Sequence, residues 1–107
     1  MIKSLRAART LSGVVNLPGD KSISHRYAML AAISEGTSVF SGFASSRDCH
    51  STLDCLRALG VEVSVSGDTV AIQGRGLSGL KKSRQVLDAG NSGTTIRLLS
   101  GILAGHP

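Results

Sequence analysis

The sequence predicts a mixed α/β fold, an α+β arrangement of one βαβαββ unit followed by the start of a second. Strand-like and helix-like stretches alternate along the chain, and glycine or proline marks most passages between them. Composition agrees. Hydrophobic residues make up 41% and charged residues 18%, which is ordinary for a folded domain and excludes disorder. At 107 residues the chain amounts to at most one small domain. It has no Trp, one Tyr and two Phe, so the core must come from Leu, Val, Ile and Ala.

Residues 11–17 (LSGVVNL) are β-branched and apolar enough for a first strand, which Pro18-Gly19-Asp20 breaks. Residues 22–34 follow with Ile23, Tyr27, Leu30 and, beside them, Met29 and Ile33, a single stripe at helical spacing. Gly36 stops that helix, and residues 37–41 read as a short strand. Ser45 and Asp48 suit a capping box for a second helix, whose Cys49, Leu53, Leu56 and Leu59 run up to Gly60. Residues 61–65 alternate, Gly67-Asp68 turns the chain, and residues 69–73 return, which predicts a β-hairpin. Residues 74–79 form a glycine-rich connection, with Gly74-Arg75-Gly76 as a flexible turn. Val86-Leu87-Asp88 reads as a further short strand. A third helix over about 92–104 carries Ile96, Leu99 and Leu103 on one face and closes at Gly105 and Pro107.

The formal net charge is +5, and it is unevenly placed. Lys3, Arg6 and Arg9 precede any acid, and Lys81, Lys82, Arg84 and Arg97 outnumber Asp88 near the other end. The early cations suit a solvated tail. Nucleic acid is a poor partner, because stacking aromatics are almost absent and no groove-reading motif occurs. No apolar run approaches the ~18–20 residues of a membrane span, and the basic start lacks the apolar core of a secretory signal. Two cysteines are too few for a disulfide scaffold and fit a reducing compartment, the cytoplasm.

Two polar helix starts carry the chemistry. The first is Pro18-Gly19-Asp20-Lys21-Ser22-Ile23-Ser24-His25-Arg26. Lys21 and Arg26 oppose the helix dipole there, and Asp20 offsets this only partly. Free helix-start N–H groups with a lysine, an arginine and two serines make a ready anion site. The same residues also suit an ordinary start, capped by Asp20 or Ser22 with the cations solvated. His25 alone reads as a structural or solvent-facing histidine. The second start is Asp88-Ala89-Gly90-Asn91-Ser92-Gly93-Thr94-Thr95-Ile96-Arg97. Asn91 is a good N-cap, the glycines permit close backbone approach, the threonines add hydroxyls, and Arg97 lies one turn further on. This stretch is neither the nucleotide P-loop nor the dinucleotide fingerprint. An ordinary capped helix with a tight loop is the alternative.

Other candidates carry less. Cys49 and Cys55 lie about 240° apart on a helix, so with His50 between them they do not build a zinc site. Asp48 and Asp54 read as surface charges.

Taken together, LPGDKSISHR at 17–26 and DAGNSGTTIR at 88–97 resemble the two N-terminal signature segments of the 5-enolpyruvylshikimate-3-phosphate synthase family, the 3-phosphoshikimate 1-carboxyvinyltransferases. The stretch SRDCHSTLDCLRALG at 46–60 also resembles the family's intervening helix. The pair GDKSISHR and GNSGTTIRLL looks more like the bacterial class II branch than class I, where proline usually follows the arginine matched by Arg97; here Leu98 follows. A sister enzyme with the same fold, UDP-N-acetylglucosamine enolpyruvyl transferase, usually has Lys-Asn where this chain has Lys21-Ser22, and it is the weaker match. A non-catalytic phosphate-binding module is the reading from another class.

The resemblance implies transfer of the enolpyruvyl group of phosphoenolpyruvate to the 5-hydroxyl of shikimate 3-phosphate, in the shikimate route to aromatic amino acids, without metal or organic cofactor. It implies that Lys21 contacts both substrates, that Ser22 and Arg26 hold shikimate 3-phosphate, and that Gly93 lines the phosphoenolpyruvate pocket with Asn91, Thr94 and Arg97 around it. It further implies sensitivity to glyphosate. The family's fold, an inside-out α/β barrel, resembles two domains of three βαβαββ units each. Residues 18–107 then form part of the N-terminal domain, and the strand region 1–17 belongs with the second. The family's acid/base carboxylate and lysine lie downstream, so these 107 residues alone are expected not to turn over substrate.

Overall fold

The computed structural model describes residues 1–107. Its element order is α1 (Lys21–Ile33), β1 (Thr37–Phe40), α2 (Arg47–Ala58), β2 (Glu62–Ser66), β3 (Thr69–Gln73) and α3 (Gly93–Ala104). The three strands form one antiparallel sheet in the order β1-β3-β2. The hairpin is closed by Gly67, at φ +60°, in the first central position of a two-residue turn where a side chain would be strained. In register, Phe40 lies opposite Val70, and Val70 opposite Val65. Two residues along, Ser38, Ile72 and Val63 line up in the same way. These rows face the helices, and Val70 and Ile72 on the central strand are fully covered.

The core sits between this sheet and the helices. Its centre is Leu53, Leu56, Cys49 and Cys55 of α2, Ala28 and Ala32 of α1, and Leu99 of α3. The α2 stripe at 49, 53, 56 and 59 is buried as its spacing predicts. In α1 only part of the stripe read from the sequence faces inward: Met29 is buried and Ile33 packs against the core, but Ile23, Tyr27 and Leu30 do not. Ser24, His25, Ala28, Met29, Ala31 and Ala32 are buried, whereas Ile23, Tyr27 and Leu30 are 52%, 52% and 56% exposed. Small side chains let α1 lie close against its neighbours, so the inward face is the one with least bulk. Ile96 of α3 is likewise exposed, and Thr95 and Leu99 point inward.

Two expected strands are absent. Residues 11–17 form no ladder, and Leu11, Val14, Val15 and Leu17 are all exposed. No strand of this chain pairs with them, and a strand needs a partner for its N–H and C=O groups. This extended segment helps raise the radius of gyration to 17.7 Å, against about 13 Å for a compact chain of ~100 residues. Val86-Leu87-Asp88 also lacks a partner and stays irregular.

Gly74-Arg75-Gly76 is not a flexible turn. Gly74 N donates to Gly36 O, Arg75 N to Ala32 O, Gly76 N to Ser34 O, and Arg75 Nε to Gly60 O at 2.8 Å. A Cβ on Gly74 would lie 2.0 Å from Ser34 O. The G-x-G-x-x-G spacing does occur here, at Gly74, Gly76 and Gly79. Its backbone donors are spent within the fold and no helix follows directly, so it cannot cradle a pyrophosphate.

Candidate anion site at two helix starts

The start of α1 is fixed by close backbone approach. Asp20 is the N-cap, and its carboxylate accepts from Ile23 N at 2.7 Å. A Cβ on Gly19 would meet Gly42 O at 1.8 Å, so only glycine lets residues 19 and 42 touch. Ser24 Oγ donates to Asp20 O at 2.7 Å and accepts from Ala44 N at 3.0 Å, which fastens the first turn to the loop before α2. The expected Ser45 cap of α2 is displaced by one residue: Ser46 accepts from Cys49 N.

Lys21, Ser22 and Arg26 are all exposed. Arg26 folds back and donates from Nη1 to Ser22 O at 3.0 Å, so those two residues share a face. Lys21 faces elsewhere, and its ammonium pairs with the Asp48 carboxylate in the first turn of α2. That hydrogen bond, above all, raises the Lys21 pKa above its ordinary value of 10.5. Asp48 is therefore a partner of the site and not a free surface charge; its side chain is only 24% exposed. Nothing in the spacing of Lys21 and Asp48 could have shown this, because the contact is made by two helices meeting.

The start of α3 is built differently. Its N-cap is Ser92 and not Asn91: Ser92 Oγ accepts from Thr95 N at 3.1 Å. Asp88 Oδ1 accepts from Gly90 N at 2.8 Å, and Gly90, at φ +56°, turns the chain so that Asn91 stands exposed just outside the helix. Gly93 is exposed, and the Arg97 guanidinium lies over it, with Nη1 3.1 Å from where a Cβ would be. Thr94 is half-buried. There is no acidic residue in the first turn.

A buried hydrogen-bond chain joins the two starts. His25 Nδ1 of α1 lies 2.7 Å from Thr52 Oγ1 of α2, and Thr52 Oγ1 lies 2.7 Å from Thr95 Oγ1 of α3. Thr95 Oγ1 then donates to Ser92 Oγ at 2.7 Å. His25 is fully buried, and its Nε2 has no partner. Burial first, and then the Lys21 charge, hold its pKa below the ordinary 6.5. Sequence reading missed this chain, although Thr52 sits inside the apolar stripe of α2, where a polar residue must find a partner.

The remaining groups offer no competing site. A groove of about 840 Å³ runs along α2 and residues 85–91, where Asp48, Asp54 and Asp88 outnumber Arg47, so its lining is net acidic. Of the expected binding residues it reaches only Asn91. Burial pushes both thiols up, so Cys49 and Cys55 stay protonated; they donate to different elements, at Lys21 O and Asp88 O. No helix is long and apolar enough to cross a membrane.

Comparison with known proteins is consistent throughout. The family model described as EPSP synthase (3-phosphoshikimate 1-carboxyvinyltransferase) matches residues 5–107. A 3-phosphoshikimate 1-carboxyvinyltransferase of Solibacter usitatus is 52% identical over 107 residues, which is 100% of this chain and 25% of that protein. One from Bacillus cytotoxicus is 53% identical over 104 residues, 97% of this chain and 24% of its own length. The solved EPSP synthase of Acinetobacter baumannii superposes with a TM-score of 0.80 at 46% identity, over 85% of this chain and 21% of that one. The chain thus spans about a quarter of the length of the relatives it matches. With a match this complete along its own length, the chain belongs to the EPSP synthase (3-phosphoshikimate 1-carboxyvinyltransferase) family.

Proposed function

We propose that this chain contributes the first substrate-binding quarter of an enzyme that transfers the enolpyruvyl group of phosphoenolpyruvate to the 5-hydroxyl of shikimate 3-phosphate and releases phosphate. The observation that carries this reading is the pair of helix starts, each bearing exposed cations, tied by one buried hydrogen-bond chain. Both substrates are polyanions that repel each other, and fixed N–H dipoles and cations offset that repulsion before chemistry begins. Ser22 and Arg26, which share a face, take the phosphate and hydroxyls of shikimate 3-phosphate. Lys21 lies between the substrates and contacts both. Gly93 leaves room for the phosphoenolpyruvate phosphate, or for the phosphonate of glyphosate, with Asn91, Thr94 and Arg97 around it. Fixed positive charge also stabilises the departing phosphate. No organic cofactor or metal is needed, and the reducing cytoplasm suits the two free thiols. Residues 1–17, unpaired here, take their strand partner from the second domain.

The test is a chimera in which residues 1–107 replace the matching quarter of the Solibacter relative. Phosphate release from phosphoenolpyruvate and shikimate 3-phosphate is expected, at a turnover within about tenfold of the parent. A folded chimera that is inactive beside an active parent would overturn the reading. Turnover with UDP-N-acetylglucosamine as the acceptor instead would assign the chain to the sister reaction.

A further inference from the structure

The two exposed helix starts are joined by a chain of buried side chains, and the proton count along that chain is decided by its far end. Each hydroxyl has one proton to give. Thr95 Oγ1 spends its own on Ser92 Oγ, so toward Thr52 it can only accept. Thr52 Oγ1 therefore donates to Thr95 and accepts from His25. This requires His25 to carry its proton on Nδ1. Nε2, buried and without a partner, is then a bare acceptor. The opposite tautomer would bury an unpaired N–H, and a doubly protonated ring would do so with a charge as well, beside Lys21 and Arg26 with Asp48 alone opposing them.

We propose that His25 is a positioning residue: its neutral ring, protonated on Nδ1, anchors the hydrogen-bond chain through Thr52 and Thr95 that seats Ser92 and holds the α3 start in fixed register with the α1 start. His25 touches no substrate. It acts through Ser92, whose hydroxyl caps α3 directly beside Gly93. Ser24, one residue before His25, binds the α1 start to the loop before α2, so both ends of the chain are anchored close to the substrate-facing backbone. Freeing the chain lets the two starts drift apart, and an anion pair that needs both loses affinity while the chemistry of bound substrate is preserved. This rests on the enolpyruvyl transfer reading for its kinetic readout, though not for its spectroscopic one.

The experiment uses the same chimera. Thr52→Val removes the central hydroxyl at nearly constant volume, and His25→Leu removes the anchor. Each is expected to raise KM for both phosphoenolpyruvate and shikimate 3-phosphate about tenfold, the effect of one or two lost buried hydrogen bonds, with kcat changed less than about threefold. The double variant should cost no more than about twofold beyond either single change, because one chain is broken once. His25→Asn, whose amide N–H reaches the δ position, should keep KM within about threefold of the parent even though the smaller side chain lowers thermal stability. His25→Gln, which reaches the ε position, should behave like His25→Leu. A merely space-filling histidine gives the reverse order. In ¹⁵N-histidine spectra of the chimera, the signal that His25→Asn removes should be a neutral imidazole protonated on Nδ1.

KM unchanged in Thr52→Val and His25→Leu, a change for one substrate only, or failure of His25→Asn to rescue would each overturn the proposal. If Thr52→Val does not fold, the spectrum still decides, and an Nε2–H tautomer overturns it. An inactive chimera would count against the enolpyruvyl reading alone.

Discussion

At the start of α1 the cap is a carboxylate, Asp20, and the cation beside it, Lys21, is already held by a second carboxylate, Asp48. At the start of α3 the cap is a buried hydroxyl, Ser92, the first turn, like that of α1, holds no acid, and Arg97 curls over the bare backbone of Gly93. The first start thus carries its own counter-charge, and an incoming anion must compete with Asp48 for Lys21. The second has no carboxylate at its cap and sets an exposed arginine, Arg97, over its first residue. One start is closely packed against backbone and its lysine is paired with a carboxylate, and the other is capped by a hydroxyl with its arginine exposed. On the enolpyruvyl transfer reading proposed above, such a difference would let each of two anions be received in its own way.

The comparison breaks most sharply under one substitution made at both starts. Gly19→Ala drives a Cβ to within 1.8 Å of the Gly42 carbonyl oxygen, which is backbone and cannot step aside. We expect a loss of about 3 kcal/mol of folding stability. Gly93→Ala meets only the tip of the Arg97 side chain. Stability should stay within ~0.5 kcal/mol, while phosphoenolpyruvate KM and the glyphosate inhibition constant rise about tenfold as Arg97 is pushed from its place. Denaturant unfolding of the chimera, with kinetics alongside, measures both. Equal losses of stability would mean that the two starts are equally rigid.

Next in size is the contrast between Lys21 and its partner. Lys21→Met should weaken both substrates about a hundredfold in kcat/KM with the unfolding midpoint unmoved, since the exposed side chain contributes little to packing. Asp48→Asn should change kcat/KM only about threefold near neutrality. It should, however, move the alkaline limb of the KM profile to lower pH, because the hydrogen bond that raises the Lys21 pKa is gone. A titration of KM between about pH 8 and 11 reads this. An alkaline limb that does not move would show that Asp48 is a bystander.

How much of this was legible depends on whether neighbours in space were neighbours in sequence. The α2 stripe, the Gly67 hairpin and the three helices were readable, because each is set by local spacing. So were Lys21, Ser22, Arg26, Gly93 and Arg97 as residues at helix starts. The inward face of α1 was legible only at Met29 and Ile33, because bulk does not decide burial there: Ile23, Tyr27 and Leu30 lie outside while Ala28 and Ala32 pack inside. Both caps slid by one residue, Ser45 to Ser46 and Asn91 to Ser92, since adjacent polar residues have equal cap propensity and the turn before them decides. Asp48 and Thr52 were beyond local reading altogether. Their partners, Lys21, His25 and Thr95, lie 27 to 43 positions away and are delivered by helix packing.

The smallest expected effect tests what joins the two starts. His25 has its pKa held below 6.5 in the fold by burial and by Lys21, with Arg26 adding to this and Asp48 opposing. In the unfolded chain the ring titrates near its ordinary value, so as pH falls the unfolded state binds the proton first. The contribution of His25 is therefore complete above about pH 6.5 and is lost as pH falls from there through the lower, folded pKa. His25→Asn keeps the Nδ1-like donor and removes the titration. The stability difference between the parent chimera and His25→Asn should be flat above about pH 7 and shrink steadily below about 6.5. Every group common to both proteins cancels in the difference. Adding Thr52→Val to both should leave the slope no shallower, because Nδ1 carries its proton in the neutral and the charged ring alike, the charged ring is the stronger donor to Thr52, and burial and Lys21 still oppose the charge. Urea unfolding at half-unit steps from pH 5 to 8 measures all four proteins. A difference that grows as pH falls would mean that the folded imidazole takes up its proton more readily than the unfolded one, and the neutral anchor between the helix starts would have to be abandoned.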